Sequence, residues 1–240
     1  GGKMAINLAD RINQLPLGLI GVAAGVVLLP EITRSLRGGD ESAAQRSLNQ
    51  GIELSLFLCL PATVAMLAIP REIMFTIFEG GKFGGKAAAE MGWILAAFAT
   101  GTPAYILVRV LQPGYFARED TKTPMRFTIV SAVVNMVLVY PLFRWLGPVG
   151  CAVATSVAGW VNVAMLWTGL RGAGFMRLSA GFFGRAARIT LAAALMGLLV
   201  WVLARYGHSF LYAEGRFYQR IGAMSVLVGL GLVAYLTAIV

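Results

Sequence analysis

The sequence is poor in the residues that water and chemistry need. Only 13% of its 240 residues are charged, about half the fraction usual in a soluble domain, so water is not the main solvent of this chain. There is one histidine, His208, and a lone imidazole with no Cys/His cluster around it cannot make a metal site. Cys59 and Cys151, the only cysteines, both fall inside apolar runs and read as small core residues rather than a disulfide or a redox pair. No long polar insertion, low-complexity tract or short-period repeat interrupts the chain, which leaves no room for a separate soluble catalytic domain. Neither metal nor cofactor is expected.

What the chain has in abundance is apolar length: 58% of the residues are hydrophobic. Seven stretches of about 18 to 25 residues carry few or no charges, long enough to cross a hydrocarbon core at 1.5 Å per helical residue. They run from Ile6 to Leu29, Ile52 to Ile69, Met91 to Val110, Phe127 to Leu146, Val149 to Leu170, Ala187 to Ala204 and Ile221 to Val240. Membrane strands would be about 10 residues long and alternate apolar with polar, whereas these runs are apolar on all sides. The expected fold is therefore all-α, a polytopic transmembrane helical bundle of about seven spans. The opening Gly1-Gly2-Lys3 and the apolar finish at Val240 suggest a piece of something longer.

The net charge of +9 would suggest nucleic acid in a soluble chain, but in an apolar one it reports topology. Taking alternate loops, Arg34, Arg37, Arg46, Arg118, Lys122, Arg126, Arg171, Arg177, Arg185 and Arg188 share one side, ten basic residues against eight on the other. The sign of that bias places the Arg34 loop in the cytoplasm. Phe and Met interleave with Arg from Phe175 to Arg188, a pattern that suits either an interfacial helix on anionic lipid or a plain solvated linker. Pro16, Pro61, Pro103, Pro113 and Pro141 sit in or beside spans, where each removes a backbone donor and bends its helix.

The first span carries the most information. Two charges and three amides stand at its head, in Asn7-Leu8-Ala9-Asp10-Arg11-Ile12-Asn13-Gln14. At about 100° per residue, Asn7, Asp10, Arg11, Gln14, Gly18, Gly21 and Gly25 share one arc, while Leu8, Ile12, Leu15, Leu19, Val22 and Val26 face lipid or an apolar partner. One reading makes this arc the wall of a water-filled cavity with Arg11 as an anion clamp, its planar fork able to grip a phosphate bidentately. The other has Arg11 snorkelling to headgroups, Asp10 neutralising it, and the glycines serving close helix packing. Arg109 is a second cationic candidate, near the end of its span, where snorkelling is the plainer account. Asn135, Thr155, Ser156 and Asn162 suit interhelical hydrogen bonds. A sodium site would need a carboxylate among its oxygens, and Val139, one turn after Asn135, supplies none.

Ala9-Asp10-Arg11, then Gln14-Leu15-Pro16-Leu17-Gly18-Leu19-Ile20-Gly21-Val22-Ala23 and Leu28-Leu29-Pro30, resemble the eighth transmembrane helix of the MurJ/MviN family. These are bacterial lipid II flippases of the multidrug/oligosaccharidyl-lipid/polysaccharide exporter superfamily. The run from Val110 to Pro124, with Gln112-Pro113-Gly114-Tyr115-Phe116-Ala117-Arg118-Glu119-Asp120-Thr121-Lys122-Thr123 at its centre, looks like the family's link between its tenth and eleventh helices. Glu79-Gly80-Gly81-Lys82-Phe83 resembles its short periplasmic turn after the ninth.

The resemblance implies the C-terminal half of a fourteen-helix, two-lobed transporter. Residues 1–172 would be the C-terminal lobe of the core and 173–240 the last two helices, which form a groove for the lipid tail; the N-terminal lobe would be the missing partner. The lobes form a V around a cationic cavity that opens alternately to cytoplasm and periplasm in the bacterial inner membrane. Arg11 matches a cavity arginine and Asp10 its acidic neighbour, with Asn7, Gln14 and Arg109 as further candidate substrate contacts. Gln14 stands where other members carry an acid. The substrate implied is lipid II, the undecaprenyl-diphosphate-linked peptidoglycan precursor, and the other partners are membrane lipids. No covalent chemistry is implied, and the membrane potential would do the work, at about 2.3 kcal/mol per charge per 100 mV. The competing expectations are a drug or polysaccharide exporter of the same superfamily, which would want an aromatic or acidic cavity, and a membrane enzyme acting on lipid-linked sugars, which would want clustered acids or histidines at a rim.

Overall fold

The computed structural model describes residues 2–78, 85–176, 181–206 and 217–239. Among these the regular elements are all helices: α1 (Gly2–Arg37), α2 (Glu41–Ala68), α3 (Pro70–Phe78), α4 (Gly85–Phe116), α5 (Lys122–Leu146), α6 (Pro148–Gly172), α7 (Phe182–Tyr206) and α8 (Phe217–Ile239). Five of them, α2 and α4 to α7, are long and apolar enough to cross a membrane. The first expected span lies within α1, and the last, as far as Ile239, within α8, which contains the apolar stretch Ser225–Thr237; Val240 lies outside the described residues. The short α3 was not foreseen. It starts where Pro70 follows the end of α2, and the Ile73 amide donates back to the Ile69 carbonyl at 3.1 Å.

Helix α4 is the hub, with α1, α2 and α6 around it. Contacts between α4 and α6 advance together along the chain, Gly101 meeting Ser156, Tyr105 meeting Gly159 and Tyr115 donating to the Leu166 carbonyl at 2.7 Å; the two helices are parallel. Helices α1 and α2 run oppositely, with Leu28 on Gly51 and Ser47 donating to Glu31 at 3.0 Å. Helix α5 lies antiparallel on the outside of α6, where the Ser131 hydroxyl donates to the Ala158 carbonyl at 2.7 Å. The α7–α8 pair lies against α2. The α1–α2, α4–α5 and α6–α7 links therefore share one end of the bundle, the same end to which alternating loops assigned Arg34, Arg46, Arg118, Lys122 and Arg171.

Lipid tails are as apolar as leucine, so hydrophobicity alone does not hold membrane helices together; close packing and interhelical hydrogen bonds do. Small residues supply the close packing. A Cβ built on Gly101 would lie 2.6 Å from Ser156 Oγ, and one on Gly150 would collide with the Leu142 carbonyl. The prolines add a polar element. Pro61 sits inside α2 and has no N–H for the carbonyl four residues back, that of Phe57. The Tyr235 hydroxyl of α8 donates to that carbonyl at 2.7 Å.

Two of the links at the shared end, α1–α2 and α4–α5, are tight. After α1, Gly39 takes a left-handed φ of 77° while the Asp40 amide bonds the Ser35 carbonyl and the Gly39 amide that of Leu36, a Schellman stop. Asp40 then caps α2, accepting from the Ala43 amide at 2.8 Å. The α4–α5 link repeats the device, with Glu119 at φ 60° in the glycine's place and Asp120 accepting from the Thr123 amide at 3.0 Å. Hydrogen bonds from Ser42 and Ala43 hold the Asp40 carboxyl below the usual carboxylate range, and those from Thr123 do the same for Asp120. The stretch from Phe175 to Arg188 is not a plain solvated linker where it is described. Phe175 and Met176 are buried in the core, Arg118 lies over the Phe175 ring at 5.4 Å, and Phe182 onward is already α7.

Candidate functional site

The described part of the first span divides as its wheel suggests. Ala9 is fully buried among Met66, Met91, Ile94 and Phe98, and Leu8 and Ile12 pack against the same cluster; the apolar arc thus meets protein. Asn7, Arg11 and Gln14 are exposed, and Asp10 is half-buried. Of the glycines in the polar arc, Gly18 is exposed with open space around it; nothing is described around Gly21 or Gly25, nor of the Pro16 side chain.

Within that open arc the partners are selective. Gln14 Nε2 donates to Asp10 Oδ2 at 2.6 Å, one turn apart on the same helix. Among the described residues Arg11 forms no hydrogen bond or ion pair, so Asp10 is engaged by an amide and not by the neighbouring guanidinium. Arg11 lies nine residues beyond the start of α1 at Gly2, about 13 Å of helix.

Asn13, which the wheel assigned to neither arc, is the residue that fixes the helix in rotation. It is 2% exposed, and the Thr102 hydroxyl of α4 donates to its Oδ1. Together with Ala9, Leu8 and Ile12, this polar pair keeps one side of α1 on its neighbours and leaves Arg11 outside the contact. Its sequence signal was an amide in an apolar span, three residues from Asp10, which suits interhelical bonding better than a cavity wall.

Arg109 is exposed on α4, but it is seven residues beyond Thr102, about 10 Å further along the axis. Arg11 and Asn13 flank the level of Thr102 from the other helix, so Asn7, Asp10, Arg11 and Gln14 form one group and Arg109 stands apart. Near Arg109 on the hub, Tyr105 has a buried hydroxyl with no hydrogen-bond partner among the described residues. No group of three His, Cys, Asp or Glu residues that could hold a metal occurs among the described residues.

A family model described as lipid II flippase MurJ matches residues 1–219. The chain belongs to the MurJ family. Among curated members, a probable lipid II flippase MurJ from Rhizobium tropici is 38% identical over 235 residues, which is 98% of this chain and 44% of that protein. A second, from Rhizobium meliloti (strain 1021), is 42% identical over 202 residues, 84% of this chain and 38% of the relative. A solved structure of lipid II flippase MurJ in an inward closed conformation superposes with a TM-score of 0.79 at 23% identity, covering 99% of this chain and 46% of the solved one. An inward-facing multidrug resistance MATE family transporter of the MOP superfamily gives a TM-score of 0.55 at 20% identity, over 98% of this chain and 57% of the transporter. The fold is thus the helical transmembrane bundle of MurJ, and the chain spans a little under half the length of the curated MurJ relatives it matches. Multi-pass membrane placement follows from the family and from the five apolar helices.

Proposed function

We propose that the protein to which this chain contributes moves lipid II across the bacterial inner membrane by alternating access, and that Arg11 grips the diphosphate in a cavity between two lobes. The observation that carries the reading is a guanidinium without a partner among the described residues: Arg11 stands exposed on a polar arc while its neighbour Asp10 is occupied by Gln14. A free guanidinium on a lobe-facing wall has its full fork of donors available for an anion. The names borne by the family and its curated members point to the same substrate.

In this reading Asn7 and Gln14 orient the headgroup beside Arg11, and Gln14 keeps the Asp10 carboxylate turned away from the incoming phosphates. Arg109, about 10 Å further along, meets a different part of the headgroup or the membrane surface. Residues 1–172 act as the lobe and residues 173–240 as the pair that guides the lipid tail. Keeping the tail out of the polar cavity avoids losing about 0.8 kcal/mol of apolar burial per CH₂.

The test is rescue of cells depleted of their own flippase by the full-length protein. Arg11→Ala should reach the membrane yet fail to rescue. It loses charge-assisted hydrogen bonds of about 1.5–3 kcal/mol, roughly a 10- to 100-fold loss of headgroup affinity. Arg11→Lys should rescue poorly because the fork is gone. Normal growth with Arg11→Ala would reject the clamp and leave Arg11 as a headgroup-seeking side chain. A cleaved lipid II product, instead of intact lipid II held in the inner leaflet, would replace transport with an enzymatic reading.

A further inference from the structure

The α7–α8 pair is fastened to the body of the bundle in an unusual manner. Its apolar core joins Ile189, Ala192, Ala193, Met196 and Val200 of α7 and Leu227 and Tyr235 of α8 to Ala65 and Ile69 of α2. Lipid tails would cover these surfaces almost as well, so this core alone gives the pair little reason to stay in one place.

Polar contacts do discriminate against lipid, and among the described residues two of them land within one turn of α2. Arg185, in the first turn of α7, makes a bidentate pair with Glu53: Nε donates to Oε2 at 2.8 Å and the terminal nitrogen to Oε1 at 2.7 Å. The Glu53 side chain is only 19% exposed, so little water competes with that fork for its oxygens. Four residues on, the Phe57 carbonyl left without an amide partner by Pro61 accepts from Tyr235 of α8, whose ring lies 5.4 Å from that of Phe57. A carbonyl facing hydrocarbon without a partner is costly; Tyr235 relieves that cost, and no acyl chain could.

We propose that Glu53 and the Phe57 carbonyl form a two-point clasp that fixes α7 and α8 at the same level of α2, so that the terminal pair and the lobe bearing Arg11 move as one rigid unit. Pro61 is part of the device, since its missing N–H leaves free the acceptor that Tyr235 uses. Glu53 and Tyr235 are positioning residues: they touch no substrate and determine where the pair sits.

The test is a distance and holds whether or not the whole protein moves lipid II. In the full-length protein in lipid nanodiscs, spin labels replace Leu195 on α7 and Met136 on α5, both exposed. A single narrow distance is expected with the clasp intact. Arg185→Glu should add a second, longer population, and the swap Glu53→Arg with Arg185→Glu should remove it. Arg185→Gln serves where the reversal does not accumulate. Tyr235→Phe should broaden the distribution when Pro61 is present and leave it unchanged in a Pro61→Ala background, where Phe57 regains its own amide partner. A narrow distance that survives Arg185→Glu, a swap that fails to restore it, or a Tyr235→Phe effect indifferent to Pro61 would overturn the clasp.

Discussion

Helices α4 and α5 look alike as sequence and play opposite parts. Both are long, apolar and broken by internal proline, yet 72% of the membrane-length window of α4 is buried inside the protein against 6% of that of α5. In water such a difference would show as an amphipathic pattern, because a solvated face must be polar. In a bilayer the outer face is apolar too, so hydropathy finds the span and is silent on its surroundings. Small residues carry the missing information. Gly101 and Thr102 in α4 meet Ser156 and Asn13, whereas the middle of α5 exposes Val133, Met136, Val137 and Tyr140.

This contrast can be broken from either side. The largest effect is expected from charge on the outer helix: Val137→Lys should raise the cost of inserting α5 by about 2.5–3.5 kcal/mol, read by glycosylation mapping of the isolated span, while Val137→Leu should change nothing. Size should matter on the hub. Gly101→Leu must displace the Ser156 backbone and should destabilise the full-length protein by about 1–3 kcal/mol, seen as a lower unfolding temperature in detergent; an unchanged temperature would mean that α4 and α6 do not approach so closely. The smallest effect belongs to the buried polar pair. Thr102→Val should cost about 0.6 kcal/mol, the average for interhelical hydrogen bonds in membranes, and should widen the rotational spread of labels at position 11 more than it lowers stability.

The same physics explains how much could be read in advance. Span length and charge scarcity are local quantities; of the seven spans they pointed to, five are helices long and apolar enough to cross a membrane, and they marked the polar arc of α1 containing Asn7, Asp10, Arg11 and Gln14. Partners across helices are not local. Asn13 could be read as an amide suited to some interhelical bond, but its partner, Thr102, lies 89 residues away and could not. The Glu53–Arg185 pair joins residues 132 apart, and neither position stands out from other loop-proximal charges. The stretch from Phe175 looked interfacial because alternating Phe, Met and Arg is ambiguous until one knows that Arg118 and Gln45 reach it. The Gln45 amide donates to the Gly174 carbonyl at 3.3 Å, next to Phe175 and Met176, which are buried in the core.

The three-residue link between α1 and α2, Gly38-Gly39-Asp40, is stitched at both ends by the Ser35, Leu36 and Ala43 hydrogen bonds and holds no slack. A piston stroke of α1 along its axis would tear that stitching or drag α2 with it. Any displacement of the Arg11 guanidinium along the membrane normal therefore carries α2 with it, so that the arginine travels with a two-helix hairpin and not with a single rod.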